Sequence, residues 1–303
     1  MPTANPSPVA TATPVTQAQA QTDFSGLWIP LVTPFYGDTQ AVDFAALKRL
    51  LAHYRPTGIA GYVVCGRTGE AAALSKEEQW AVLDSVLEHA DGLAVVMGYS
   101  GYHLGEAIAF VEKACSRPIA GLLVATPHYI RPSQDGLLSW FERIADASAK
   151  PLILYDIPYR TGVEVTLPTL RRLGQHPNIQ AIKDCGGDAA KTQHLIADGR
   201  LQVLAGEDLQ IFGTVAAGGS GAIAASAHVR TADFAQVIEL LQNGQIDEAR
   251  KLWAPLVPLS SALFAEPNPA CVKNALAQAG LIEDCLRSPM QKASRPFDMR
   301  LLD

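Results

Sequence analysis

The sequence has 303 residues, 48% apolar and 18% charged, enough to bury a sizeable core in one large domain or two small ones. Its formal charge of −6 leaves no basic stripe to neutralise phosphates, which argues against nucleic acid as a partner. No apolar run approaches the roughly 18 residues that span a bilayer.

Residues 1–23 are mostly Ala, Pro, Thr and Gln, without Lys or Arg. They lack the basic start and apolar core of a secretory signal, and they are expected to form a disordered tail. From Phe24 the chain alternates between two kinds of segment. Short β-branched and apolar runs are WIPLV (28–32), IAGYVVC (59–65), LAVVMG (93–98), GLLVATP (121–127), LILYDIP (152–158), IQAIKD (179–184), LQVLAG (201–206) and GAIAAS (221–226). Between them the spacing is helical. Phe44, Leu47, Leu51 and Tyr54 recur at three- and four-residue steps, as on one helix face. Ser75 and Glu78 form a capping-box signature ahead of Trp80, Leu83 and Leu87, and Thr166 and Asp188 stand where later helices need an N-cap.

Eight such β–α units predict an α/β fold. Near-continuous apolar strands belong to a parallel sheet covered on both faces. Eight of them fit a closed (β/α)8 TIM barrel over residues 24–244 better than an open sheet, and no glycine-rich phosphate turn follows the first strand. Residues 245–303 read as a C-terminal helical extension broken by Pro255, Pro258, Pro267, Pro269 and Pro289. Cys65, Cys115, Cys185, Cys271 and Cys285 form no CxxC pair, which points to free thiols in a cytoplasmic protein rather than a zinc site.

A barrel places its chemistry at the C-terminal ends of the strands. Arg67-Thr68-Gly69-Glu70, His128-Tyr129, Tyr155, Arg160 and Lys183 all fall there. Of nine lysines, Lys183 alone lies inside an apolar strand run. Burial disfavours an ammonium, and a neutral amine attacks carbonyls, as Schiff-base catalysis requires. A lysine paired with Asp184 or Glu207 at the barrel mouth is an equally open reading. Tyr155 could shuttle protons or be a core tyrosine with a satisfied hydroxyl. Thr68 and Gly69 could offer backbone N–H groups and a hydroxyl to a small carboxylate.

Several motifs in order carry a resemblance: LVTPF (31–35), GRTGE (66–70), ATPHYIRPSQDGL (125–137), YDIPYRTG (155–162), AIKD (181–184), GED (206–208), GGSGAIA (218–224) and EPNPACVK (266–273). The chain resembles the dihydrodipicolinate synthase / N-acetylneuraminate lyase family of class I aldolase-type barrels. The resemblance implies that Lys183 forms the Schiff base with pyruvate and that Tyr155 transfers protons. It implies that Thr68 and Gly69 hold the pyruvyl carboxylate, with the Ile223 backbone near the imine. Tyr129 matches a tyrosine that reaches into a neighbouring subunit's site, which implies a homodimer or homotetramer. Arg160 matches the arginine that binds L-aspartate 4-semialdehyde in the synthases, and sugar-acid lyases generally lack it. The implied reaction gives 4-hydroxy-tetrahydrodipicolinate, toward diaminopimelate and lysine, with no metal or organic cofactor.

Two positions depart from the resemblance. Arg67 stands where the synthases usually carry a threonine that links two tyrosines in a proton relay. Arginine cannot pass a proton as a hydroxyl does, but its fork suits a carboxylate. Three consequences are open: a water in the relay, an acceptor site tuned to another anionic aldehyde as in another 2-oxo-acid aldolase, lyase or dehydratase, or a non-catalytic paralogue. The positions corresponding to a lysine-regulation pocket are Ala71, Lys76, Tyr102 and His128, and the cationic Lys76 implies weak or absent feedback by lysine. His53, His89, His176 and His194 show no ligand spacing, so no metal is expected. Cys185 and Cys65 are expected to be inert, with Cys65 in the core.

Overall fold

The computed structural model describes residues 21–302. Strands form where the apolar runs stood: β1 (Gly26–Pro30), β2 (Gly61–Val64), β3 (Ala94–Tyr99), β4 (Gly121–Ala125), β5 (Leu152–Asp156), β6 (Ile179–Asp184), β7 (Gln202–Ala205) and β8 (Gly221–Ile223). All pair in parallel in chain order. β8 closes on β1 with Gly26, Leu27 and Trp28 opposite Gly221, Ala222 and Ile223. The first strand lies two residues earlier than its apolar run, because Leu31 and Val32 already belong to the loop above the barrel.

The helices are α1 (Phe44–Tyr54), α2 (Lys76–His89), α3 (Leu104–Cys115), α4 (Gln134–Ala147), α5 (Pro158–Thr161), α6 (Leu167–Leu173), α7 (Ala189–Asp198), α8 (Ile211–Ala216), α9 (Thr231–Gln242), α10 (Ile246–Leu263) and α11 (Ala270–Gln278). Ser75 and Glu78 form the expected capping box of α2, and Asp188 caps α7. Thr166 precedes α6, but its hydroxyl bonds Gln134 and Thr169 instead of the helix backbone. Phe44 does not share the buried face of α1. Leu47, Leu50, Leu51 and Tyr54 set that face, and Phe44 lies almost a quarter-turn away and exposed.

The prolines do not break α10. Pro255 and Pro258 lie within it on its solvent side, where water can serve the carbonyls they leave unbonded. The opposite stripe of Trp253, Leu256, Leu259 and Leu263 is buried and holds the helix in place.

Two apolar layers result. Inside the barrel Phe24, Trp28, Val63, Val96, Leu123, Ile153, Ala181, Leu204 and Ile223 fill the interior, so the barrel is a packed core and not a pore. Gly61 makes room for this layer, since a Cβ there would lie 2.6 Å from the Trp28 ring and 2.2 Å from the Ala94 carbonyl oxygen. A larger layer packs the helices against the outside. Of the expected tail, residues 1–20 lie outside the described residues. Thr22 is pinned by both its backbone groups to Gln180 and Gln202 at the strand N-termini, so ordered contacts begin ahead of Phe24.

His228 ties the ends of this closure together. Its Nε2 accepts from the Val32 N–H at 3.2 Å, and its Nδ1 donates to the Ala225 carbonyl at 2.9 Å. Full burial pushes its pKa down to about 4. The unfolded chain therefore binds a proton between pH 6.5 and 4 that the folded one refuses, so this residue withdraws about 3 kcal/mol of stability as the pH falls through that window. Buried Asp208, pushed up to about 6, acts oppositely below that pH. A His228→Gln variant should accordingly lose less stability than the parent between pH 7 and 5 in urea melts. Parallel losses would refute the assignment.

Candidate active site

The C-terminal ends of the strands surround a cavity of about 430 Å³ whose wall includes Arg67, Tyr99, His128, Tyr155, Arg160 and Met290. Of the expected site residues, Arg67, Tyr155 and Arg160 face this cavity. Lys183 is not part of that wall, but its Nζ lies over the Tyr155 ring, 4.5 Å from the ring centre. β-Sheet register puts them together: Tyr155 and Lys183 are direct cross-strand neighbours on β5 and β6. Both stand one inward step above the interior residues Ile153 and Ala181.

Lys183 is 7% exposed and has no carboxylate within 4.0 Å among the described residues. The ion-paired alternative is thereby excluded. Asp184 accepts from Thr192 and the Gly186 N–H, and Glu207 accepts from the Tyr159 hydroxyl. Two further lysines are buried, which the sequence reading did not anticipate. Lys191 pairs with Asp156 and Glu164, and Lys273 pairs with Glu70. Their burial is explained by their partners, as buried charge requires. That of Lys183 is not.

Burial raises the Tyr155 phenol well above its ordinary range, and the neighbouring Cys185 adds to this, so it is a neutral hydroxyl at physiological pH. The Cys185 thiol is itself pushed up by burial, which fits an inert cysteine. Cys65 is buried as expected, though it also touches the cavity.

Thr68 and Gly69 occupy the loop after β2, both buried next to the cavity. Only glycine fits at 69, where a Cβ would lie 2.8 Å from the Leu31 carbonyl oxygen. The Gly69 carbonyl is held by the Thr33 hydroxyl at 2.7 Å. Neither the Thr68 nor the Gly69 N–H donates to another described residue, so two buried donors stand free for an anion.

The C-terminal region, expected as an appendage, completes this loop. The Asn268 side chain donates to the Thr68 hydroxyl at 2.9 Å, Lys273 pairs with Glu70, and the Arg287 N–H donates to Glu70 at 3.0 Å. Arg287 also grips Glu78. The EPNPACVK motif held this information, but no spacing could join residues about 200 positions apart; only folding does.

Arg67 is half-buried, and its Nη2 reaches the Met290 sulfur at 3.6 Å. Burial, followed by the charge of Arg160, holds its guanidinium below the ordinary arginine range. Neither Arg67 nor Arg160 forms an ion pair among the described residues, so two guanidinium groups face one cavity without a carboxylate in direct contact, the cavity's own Glu70 being paired with Lys273. Tyr129 does not join them. It is 86% exposed, at a φ of +72°, beside exposed Ile130. Ile223 lies buried in the barrel interior. Among the described residues no three His, Cys, Asp or Glu side chains are grouped to hold a metal ion, and no helix is long and apolar enough to cross a membrane.

Residues 23–300 match the model of the dihydrodipicolinate synthetase family. A 4-hydroxy-tetrahydrodipicolinate synthase of Thermodesulfovibrio yellowstonii is 36% identical over 283 residues, 92% of this chain and 97% of that relative. Among solved structures, dihydrodipicolinate synthase from Aquifex aeolicus superposes with a TM-score of 0.88 at 30% identity, covering 92% of this chain and 96% of the other. The Acinetobacter baumannii enzyme complexed with pyruvate gives 0.88 at 31% identity over 91% and 96%.

Proposed function

This chain belongs to the dihydrodipicolinate synthetase family, and from that premise we propose that it is a Schiff-base lyase condensing pyruvate with L-aspartate 4-semialdehyde. The observation that carries the reading is Lys183, buried without a carboxylate partner and set against Tyr155. Its amine attacks C2 of pyruvate, and the C2 oxygen leaves as water. Loss of a methyl proton turns the imine into an enamine, with Tyr155 moving protons as a neutral phenol. The free N–H groups of Thr68 and Gly69 and the Thr68 hydroxyl hold the pyruvyl carboxylate, with the Ile223 backbone near the imine. The enamine carbon attacks the aldehyde. The acceptor's amino group then attacks C2, displaces Lys183 and closes the ring of 4-hydroxy-tetrahydrodipicolinate. The protonated imine is the electron sink, so no cofactor is invoked.

The exposed, left-handed Tyr129 supports a homodimer or homotetramer in which it enters a neighbouring site, and the five free thiols support a cytoplasmic setting. The test is borohydride trapping with pyruvate, read by mass spectrometry of the Lys183 peptide. An adduct discharged by aspartate semialdehyde supports the synthase.

A second reading is favoured by Arg67. Two unpaired guanidinium groups on one cavity suit an acceptor whose carboxylate both grip, including anionic aldehydes other than aspartate semialdehyde. Under either acceptor, Arg160→Ala and Arg67→Ala should each raise the aldehyde KM by about tenfold or more while the pyruvate KM stays within about twofold. Unchanged aldehyde kinetics in Arg67→Ala would remove that residue from the acceptor site.

Feedback by lysine is expected to be weak or absent. Lys76 Nζ sits 5.0 Å from the centre of the Phe110 ring and 5.8 Å from that of Tyr99, and Tyr102 packs edge-on against His128 at 5.3 Å. A lysine side chain of the protein itself thus occupies the aromatic surface that an incoming ammonium would use. Steady-state assays with added lysine check this, and inhibition in the low millimolar range or tighter would contradict it.

A further inference from the structure

We infer that Asn268 is a positioning residue that aims the Thr68 hydroxyl at the pyruvyl carboxylate; the inference rests on the Schiff-base reading above. A threonine hydroxyl has one proton to give and two lone pairs to accept with. Asn268 Nδ2 donates to Thr68 Oγ1 at 2.9 Å, and both side chains are buried. The hydroxyl is therefore already an acceptor toward Asn268. Its own proton has no acceptor among the described residues and is left to point elsewhere. A carboxylate bound by the free Thr68 and Gly69 N–H groups would supply the acceptor that this proton lacks.

Three features separate this role from simple packing. The other end of the amide, Asn268 Oδ1, is buried without a hydrogen-bond partner, which is unfavourable for a residue retained for stability alone. Asn268 reaches the loop from the C-terminal region, 200 residues away in sequence. The same region fixes the next residue but one, because Lys273 and the Arg287 N–H both hold the Glu70 carboxylate. The loop is thus clamped on either side of Gly69, and of these contacts only that of Asn268 acts on a hydroxyl whose own proton is left to donate.

The test is a double-mutant cycle read by the pyruvate concentration that half-saturates borohydride trapping, alongside pyruvate and aldehyde KM and melting temperature. Asn268→Ala and Thr68→Val should each raise half-saturation by about tenfold with the aldehyde KM little changed, and the double variant should do no worse than Thr68→Val alone. Asn268→Asp keeps the shape of the side chain but must accept the Thr68 proton and brings a negative charge, so it should be worse than Asn268→Ala. A tolerated Asn268→Asp, additive effects in the double variant, or a lowered melting temperature with unmoved pyruvate saturation would overturn the role. Parent protein that forms no adduct at all would instead overturn the Schiff-base reading.

Discussion

Replacing Lys183 with methionine is expected to abolish the borohydride-stable adduct with pyruvate and to lower turnover by at least about a thousandfold while leaving the barrel folded. No second amine can stand in. Lys191 and Lys273 are the other buried lysines, and each is committed to carboxylates. The stability side of the prediction is as specific. Lys183 has no ion-pair partner among the described residues, so its removal breaks no salt bridge and withdraws only the influence of its charge on buried Asp208, while methionine retains the apolar contact with the Tyr155 ring. The variant should melt at or above the temperature of the parent. Peptide mapping after reduction, turnover and a thermal melt on one preparation check the three statements together. A retained adduct at Lys191 or Lys273, or a cleanly active variant, would defeat the assignment.

Lys191→Met should do the reverse and cost about 3–5 kcal/mol of folding stability at neutral pH. Lys191 is 3% exposed and Asp156 wholly buried, and the ammonium meets the Asp156 carboxylate at 2.9 Å and that of Glu164 at 3.0 Å. Asp156 also accepts the Val165 N–H at 3.2 Å, so the group fastens the segment after β5 that carries Arg160. Burial already raises the Asp156 carboxyl, and Lys191 is what opposes that rise. Without the ammonium the folded-state value climbs further above the unfolded one. A raised carboxyl contributes stability that is present at low pH and lost as pH rises through the folded value. The deficit of Lys191→Met should therefore be smaller at pH 5 than at pH 8 in denaturant titrations. A deficit below 1 kcal/mol, or one independent of pH, would show that the pair carries little.

Much of the fold was legible in the chain because its signals are local. Apolar runs of five to seven residues at regular intervals marked all eight strands, and IQAIKD matched β6 residue for residue. The capping box at Ser75 and Glu78 worked because its partners are three residues apart. Where local pattern failed, packing had the deciding vote. Phe44 lost its place on the α1 face to Leu50, and Pro255 and Pro258 stayed inside α10 because its buried stripe anchors the helix while both rings face solvent. In the site, Lys183 stood out as a lysine in an apolar strand, yet the sequence left its pairing open. The absence of a nearby carboxylate is a three-dimensional fact. Lys191 and Lys273 were invisible as buried residues, since each lies on a helix whose polar positions look exposed in sequence.

The eight parallel strands of a closed barrel, the placement of Tyr155 and Lys183 at the C-terminal ends of their strands, and the membership of the family were determined by sequence alone. All depend on repeats of two or of a few residues, and on motifs read in order. The tertiary structure alone decided that Lys183 is unpaired, that Arg67 and Arg160 share a cavity, and that Asn268, Lys273 and Arg287 return to grip Thr68 and Glu70. These are contacts between segments far apart in the chain. Their formation is governed by closure of the barrel and the desolvation of charges inside it, quantities that no local run of residues encodes.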